Sequence, residues 1–237
     1  MGERRGRHER GRRIPLIIGI LIFVVGFGIL LYPHIMQKHY EQKAGKAIQL
    51  FDKKYQEQED NPQIEALYQA LLKYNQELYE TGQNQLKDPF AFAQKGFDLA
   101  PYGIDDNIIG HLHIPSAEIE LPIYLGASDE NMKLGATLLT HTSMPIGGEN
   151  TNAVIAAHRG YYKAKMFKDI DKIQVGDEIY LRNFKEELTY VVSETVVINP
   201  TEIDKVLIQP GKDMLTLLTC HPYGESTYRY LVYAERK

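Results

Sequence analysis

The chain has 237 residues, 43% of them hydrophobic and 24% charged, with a formal net charge of −4 at neutral pH. Its first 13 residues, MGERRGRHERGRR, set six arginines against Glu3 and Glu9, a local +4, so the remainder carries −8. A body this acidic argues against nucleic acid as a partner, because that surface needs a basic face, and a single cysteine, Cys220, excludes an internal disulfide.

The basic tail, 1–13, is followed by IPLIIGILIFVVGFGILLY, Ile14 to Tyr32, which is 19 residues without a charge. At about 1.5 Å per residue such a helix is about 28 Å long, enough to cross a bilayer core. The arginines favour the cytoplasmic side, which puts the rest of the chain outside the cell. A cleaved signal peptide has a shorter apolar region and a small-x-small site, whereas Tyr32, Pro33 and His34 follow here, so an uncleaved single-pass anchor in membrane lipid is expected over 14–32.

Residues 33–84 predict helices. The stretch KHYEQKAGKAIQLFDKKYQEQED, 38–60, is polar and helix-prone. Asn61 and Pro62 can open a second helix, in which Ile64, Leu67, Tyr68, Leu71, Leu72 and Leu78 recur mostly at three- and four-residue spacing before Gly82 ends it. These helices form a stalk or collar, or are ordinary packed helices of the domain that follows. Residues 85–101, QLKDPFAFAQKGFDLAP, fit neither period and read as extended or irregular.

The grammar then changes to short strands separated by Gly, Pro, Asp and Asn. Strands are expected near 108–114, 117–124, 134–139, 152–158, 177–183, 187–198, 213–220 and 228–235, with at most helical turns at 161–173 and 201–207. About eight strands make residues 102–237 a mainly β domain, closed or nearly closed into one barrel.

Cys220 ends the apolar run DMLTLLTC. Strand alternation puts Leu218 on its face and Thr219 on the other. A lone thiol of this kind is a buried inert group, an intermolecular link or a nucleophile. Pro222 and Gly224 favour a turn, after which Arg229 opens the next strand; antiparallel pairing brings Arg229 close to Cys220. Its guanidinium could then bond an oxyanion or favour a thiolate. Among eight histidines, His158 ends the apolar run AVIAA and so offers a second strand-end reactive group, the alternative being an ordinary surface histidine. Only His111 and His113 have short metal-ligand spacing, and zinc needs three or four converging ligands, so no metal is expected. The adjacent glycines of SMPIGGEN lack the Lys-Ser/Thr of a phosphate loop, and no cofactor is expected.

The strings AVIAAHRG (153–160) and TLLTC (216–220), with Arg229 nine residues on, resemble the sortase family of cysteine transpeptidases. The similarity extends over about 85–235 and includes the stretch 114–160. It implies a sortase-type barrel with His158, Cys220 and Arg229 as its catalytic residues. KDPF, 87–90, resembles the lid of the class C, pilus-assembling members, which implies that Asp88, Pro89 and Phe90 lie over the active site; 85–101 is then lid and linker. TCHPYG resembles the usual Thr-Cys-Thr-Pro-Tyr-Gly, with His221 where a threonine is typical. Class C members usually carry a second transmembrane helix at the C-terminus, and this sequence stops at Lys237, directly after its last strand.

The resemblance implies an LPxTG-like sorting signal on pilin or other surface proteins as first substrate, cleaved at the Thr carbonyl through a Cys thioester. The acceptor is then an amine, expected to be a pilin lysine. The alternatives are a housekeeping sortase joining proteins to peptidoglycan, a thiol hydrolase that passes the thioester to water, and an inactive membrane-anchored binding domain.

Overall fold

The computed structural model describes residues 5–56, 61–84, 86, 96–161 and 164–237, with side chains from Pro15 onward except that of Gln56. Helix α1 (Arg5–Gln56) is continuous through the apolar run, and Pro15 and Pro33 both lie inside it. No side chain from Leu16 to Ile35 is buried by protein, as a single-pass membrane anchor requires. Beyond the anchor the helix becomes a packing element. Ala44, Ile48, Phe51 and Tyr55 recur every three or four residues and are buried, one stripe of an amphipathic helix. Phe51 and Tyr55 form an aromatic cluster with Phe184, at ring separations of 4.6 to 5.7 Å. His111 Nε2 lies 3.0 Å from Asp52 Oδ1 and so ties the barrel to α1, whereas His113 stacks on Tyr180 of the neighbouring strand.

Helix α2 (Pro62–Glu80) starts as its sequence predicts: the Asn61 side chain accepts from Gln63 N at 2.8 Å and Pro62 occupies the first turn, where it sacrifices no hydrogen bond. Ile64, Leu67, Leu71 and Leu78 face inward. Buried Asn75 donates to Met144 O and accepts from Met144 N, which pins α2 to the SMPIGG loop. Both helices therefore pack on the barrel rather than standing clear of it.

Eight strands close the barrel: β1 (Ile108–Ile114), β2 (Ile119–Leu125), β3 (Ala136–Leu138), β4 (Thr151–Ala156), β5 (Glu178–Arg182), β6 (Glu187–Ile198), β7 (Asp213–His221) and β8 (Tyr228–Arg236). Their order is β1-β2-β3-β4-β7-β8-β6-β5, with β5 returning to β1. The β2–β3 and β4–β7 pairs are parallel and the rest antiparallel. The sequence predicts these strands to within about three residues at each end. It misses the short helix α3 (Asp129–Leu134), which takes Leu134 from the expected third strand; Ser128 caps it by accepting from Asn131 N at 3.1 Å.

Strands β4, β7 and β8 are buried on both faces. Ala153, Ile155, Leu215, Leu217 and Val232 fill the barrel. Val154, Ala156, Met214, Leu218, Leu231 and Tyr233 form a second apolar cluster on its outer wall with Val206, Ile198 and Leu86. Asn152 holds the cover in place, donating to the Val206 and Leu207 carbonyls and accepting from Thr216 Oγ1. Double burial explains why these three strands read as continuous apolar runs rather than alternating ones.

Candidate active site

β7 lies between β4 and β8. In the antiparallel β7–β8 pair Cys220 stands directly opposite Arg229. In the parallel β4–β7 pair Ala156 is opposite Leu218. The pairing continues past the formal end of β4, since Ala157 N donates to Leu218 O at 3.2 Å and Thr219 Oγ1 to Ala157 O at 2.7 Å. Two residues further on, the same register sets His158 beside Cys220. Alternation directs all three side chains to the outer wall, the face of Ala156, Leu218 and Leu231. In the antiparallel pair, directly opposed residues have Cβ atoms about 4.5–5.5 Å apart, so the Cys220 thiol and the Arg229 guanidinium are neighbours at one rim of the barrel, and the extended β4–β7 register directs His158 to the same rim.

Arg229 and His158 each have their own support. Arg229 is 7% exposed, and its Nη1 donates to the Ser226 and Tyr228 carbonyls at 2.9 and 3.1 Å, which ties its head to the β7–β8 turn. The His158 ring stacks on Tyr161 at 5.7 Å and 17°. Burial lowers the His158 pKa below its ordinary value; the Asp129 carboxylate opposes that shift and Lys133 adds to it. Asp129 belongs to α3, so a helix absent from the sequence expectation brings a carboxylate to bear on the imidazole. The capping pattern Ser128-Asp129-Glu130 could have revealed the helix, though not where it docks.

A second set of side chains lies immediately behind the first. Arg159, His221 and Tyr230 each follow one of the three, so alternation turns them to the opposite face. Buried Arg159 donates from Nη2 to Asp171 Oδ2 at 2.8 Å and from Nη1 to His221 Nδ1. Its guanidinium lies 5.6 Å over the Tyr230 ring, on which His221 also stacks at 5.8 Å. His221, in the place of the usual threonine, is thus an acceptor that joins the ends of β4 and β7. Gly160 completes the joint: its φ is +85°, and a Cβ there would lie 2.7 Å from the Tyr223 ring. Arg159→Met is expected to cost about 1–3 kcal/mol, since it strands His221 Nδ1 and leaves the ring stack unfilled. Asp171 is 55% exposed at its side chain, so its ion pair contributes little of this. Thermal unfolding should show a midpoint lower by several degrees, at about 2–4 °C per kcal/mol; an unchanged midpoint would show that the joint is not stabilising.

Asp88, Pro89 and Phe90, the expected lid, lie outside the described residues. Leu86, just before them, is buried in the outer-wall cluster, and Gly96, after them, lies against Thr140.

Comparison with known proteins agrees with this fold. The family model for the sortase domain matches residues 112–237. The structure of sortase C1 of GBS Pilus Island 1 superposes with a TM-score of 0.75 at 32% identity, covering 82% of this chain and 98% of that one. Sortase C-1 of Streptococcus pneumoniae superposes with a TM-score of 0.72 at 37% identity, covering 81% and 98%. Sortase A of Bacillus anthracis is 28% identical over 93% of both chains. With the barrel order, the strand-end cysteine and these alignments all in agreement, the chain belongs to the sortase family of cysteine transpeptidases and is closely related to its class C members.

Proposed function

We propose that Cys220 is the nucleophile, His158 the general acid and base, and Arg229 the oxyanion-stabilising group of a transpeptidase that assembles pili. The observation that carries this reading is the strand register: Cys220 stands opposite Arg229, and the β4–β7 ladder, extended two residues past Ala156 and Leu218, puts His158 on its other side. In the first half-reaction Sγ bonds to the Thr carbonyl carbon of an LPxTG-like signal and the Thr–Gly C–N bond breaks. The thiol proton passes through His158 to the leaving amine. In the second, an amine attacks the thioester, His158 takes its proton and Sγ leaves. Arg229 donates to the carbonyl oxygen in both, and one nucleophile serving two displacements gives ping-pong kinetics. Burial of His158 suits this, because an imidazole left neutral at pH 7 can accept the thiol proton.

The pilin lysine as acceptor is supported by the relatives: one solved structure is a Pilus Island sortase, and that of a Streptococcus pneumoniae sortase C bears on pilin substrate specificity. The alignment with a sortase A over 93% of both chains favours a second reading, transfer to peptidoglycan. The arginine cluster of 1–13 supports a cytoplasmic N-terminus with the catalytic barrel outside, and the KDPF string supports a lid of Asp88, Pro89 and Phe90.

Incubating the full chain with an LPxTG peptide and either a pilin-derived lysine peptide or a peptidoglycan stem-peptide amine, with mass spectrometry of the products, tests the reading. The expected product is the peptide cleaved after Thr and joined to the pilin lysine. Predominant joining to the stem peptide would favour the housekeeping role, release of the free acid alone a hydrolase, and no cleavage an inactive domain.

A further inference from the structure

Beside the catalytic rim, α1, the β4–β5 connection and Tyr223 of the β7–β8 turn line an open cleft of about 610 Å³ that the proposed transpeptidase chemistry does not use. We propose that it binds the phosphate-bearing headgroup of an anionic membrane phospholipid, whose acyl chains lie along the exposed apolar surface of α1.

The first support is depth. The continuous apolar run ends at Tyr32, which lines the cavity, and the first charged residue after it is Lys38. Lys38 lines it too, and six residues at about 1.5 Å each put it about 9 Å further along the helix. That is the headgroup layer outside a hydrocarbon core, within reach of a snorkelling lysine. Directly toward the membrane, Leu30 and Leu31 are 71% and 40% exposed, which offers acyl chains an apolar track continuous with the cavity mouth.

The second is charge. Lys165 and Lys168 reach the same cavity from the barrel, more than a hundred residues away in sequence. Their segment is fastened to α1 where Gln37 Oε1 accepts from Lys165 N at 2.7 Å. Among the described lining residues Glu41 is the one carboxylate, and it accepts from Gln37 Nε2 at 2.7 Å. Three lysines against one glutamate leave a formal +2, which suits a phosphodiester. The third is the aromatic content. Tyr32, Tyr161 and Tyr223 line the cavity, the side-chain type that settles at a membrane–water interface, and Lys168 Nζ lies 5.3 Å from the Tyr223 ring centroid.

A bound lipid would touch the catalytic rim through two contacts already described: Tyr161 stacks on His158, and Tyr223 packs against Gly160. The binding itself needs no catalysis, so Cys220→Ala is expected to retain lipid as the natural chain does, whatever becomes of the transpeptidase reading.

The test is native mass spectrometry of the full chain released from nanodiscs of phosphatidylcholine with phosphatidylglycerol. Phosphatidylglycerol is expected to be retained in preference to phosphatidylcholine. The combined variant Lys38→Gln/Lys165→Gln/Lys168→Gln should lower that retention at least about fivefold. A control variant on the same helix but outside the cavity, Lys43→Gln/Lys46→Gln/Lys53→Gln, should leave it within about twofold, consistent with local rather than general attraction. Equal retention by the cavity variant and the natural chain, or equal loss in the two variants, overturns the site. Glycerol phosphate added in solution distinguishes the source of the phosphate: if it protects Lys38, Lys165 and Lys168 from amine labelling in lipid-free detergent as fully as phosphatidylglycerol does, the cavity is a soluble-phosphate site and the lipid assignment fails.

Discussion

Cys220→Ala is expected to abolish both cleavage and transfer, by at least about 10⁴-fold, while the barrel still folds. The thiol is the sole cysteine in the chain, so no second sulfur can form the thioester. Water or a neighbouring side chain would have to attack the peptide unaided. The structural cost is small by comparison. Pairing of Cys220 with Arg229 runs through the main chain, which alanine keeps. The side chain is only partly buried, so losing one sulfur should cost about 1 kcal/mol or less. The measurement is product formed from an LPxTG peptide, with circular dichroism and the thermal midpoint of the same preparation. A folded variant turning over within tenfold of the natural chain would end the thiol mechanism. The variant should also fail to form the covalent acyl-enzyme that the natural chain accumulates when no amine is supplied, and peptide binding to the same variant, expected to persist, separates loss of the nucleophile from loss of substrate binding.

The strands were legible because burial wrote them plainly. β4, β7 and β8 are covered on both faces and so appear as AVIAA, MLTLL and YLVYA, largely apolar runs with His158 and Cys220 shortly after the first two and Arg229 just before the third. β6, with one face partly open, shows as a long β-branched stretch, and its limits are the expected 187–198. Three things were not legible. Composition divides α1 into tail, anchor and polar helix, yet the backbone runs through all three and past Pro33, because continuity depends on hydrogen bonds that composition does not encode. α3 has six residues, too few to express a helical period, so Asp129 could not be connected with His158. The joint of Arg159, His221, Asp171 and Tyr230 depends on a register known only once the strands are paired. His158, Cys220 and Arg229 were findable as strand-end residues, and the expected antiparallel pairing already put Arg229 near Cys220, but what linked His158 to them was the resemblance in AVIAAHRG and TLLTC. The spatial reason appears in the strand order β4-β7-β8.

His158→Ala is expected to slow transpeptidation by about 10²–10⁴-fold, the span for loss of a positioned acid–base group. In the proposed mechanism both half-reactions move a proton through the same imidazole, so removing it should depress acylation and thioester aminolysis together. Direct alkylation of Cys220 by a small thiol reagent should slow far less, since that reaction needs a thiolate but no proton delivered to a leaving amine. The pH profile carries the sharper signature. Burial lowers the His158 pKa, so the imidazole stays neutral to a lower pH than a free histidine, whose value is about 6.5. A base must be neutral to accept a proton, so activity is present above the lowered pKa and is lost as the pH falls through it. The acid limb of kcat/KM should therefore lie below the usual imidazole range. The Asp129 carboxylate raises the His158 pKa, so Asp129→Asn should move that limb to still lower pH, whereas removing the Lys133 charge with Lys133→Met should move it upward. The limb reports the thiol–imidazole pair as a unit, but the opposite directions of the two shifts follow from charge alone. An acid limb at or above the ordinary histidine value, unmoved by both substitutions, would exclude His158 as the titrating acid–base group.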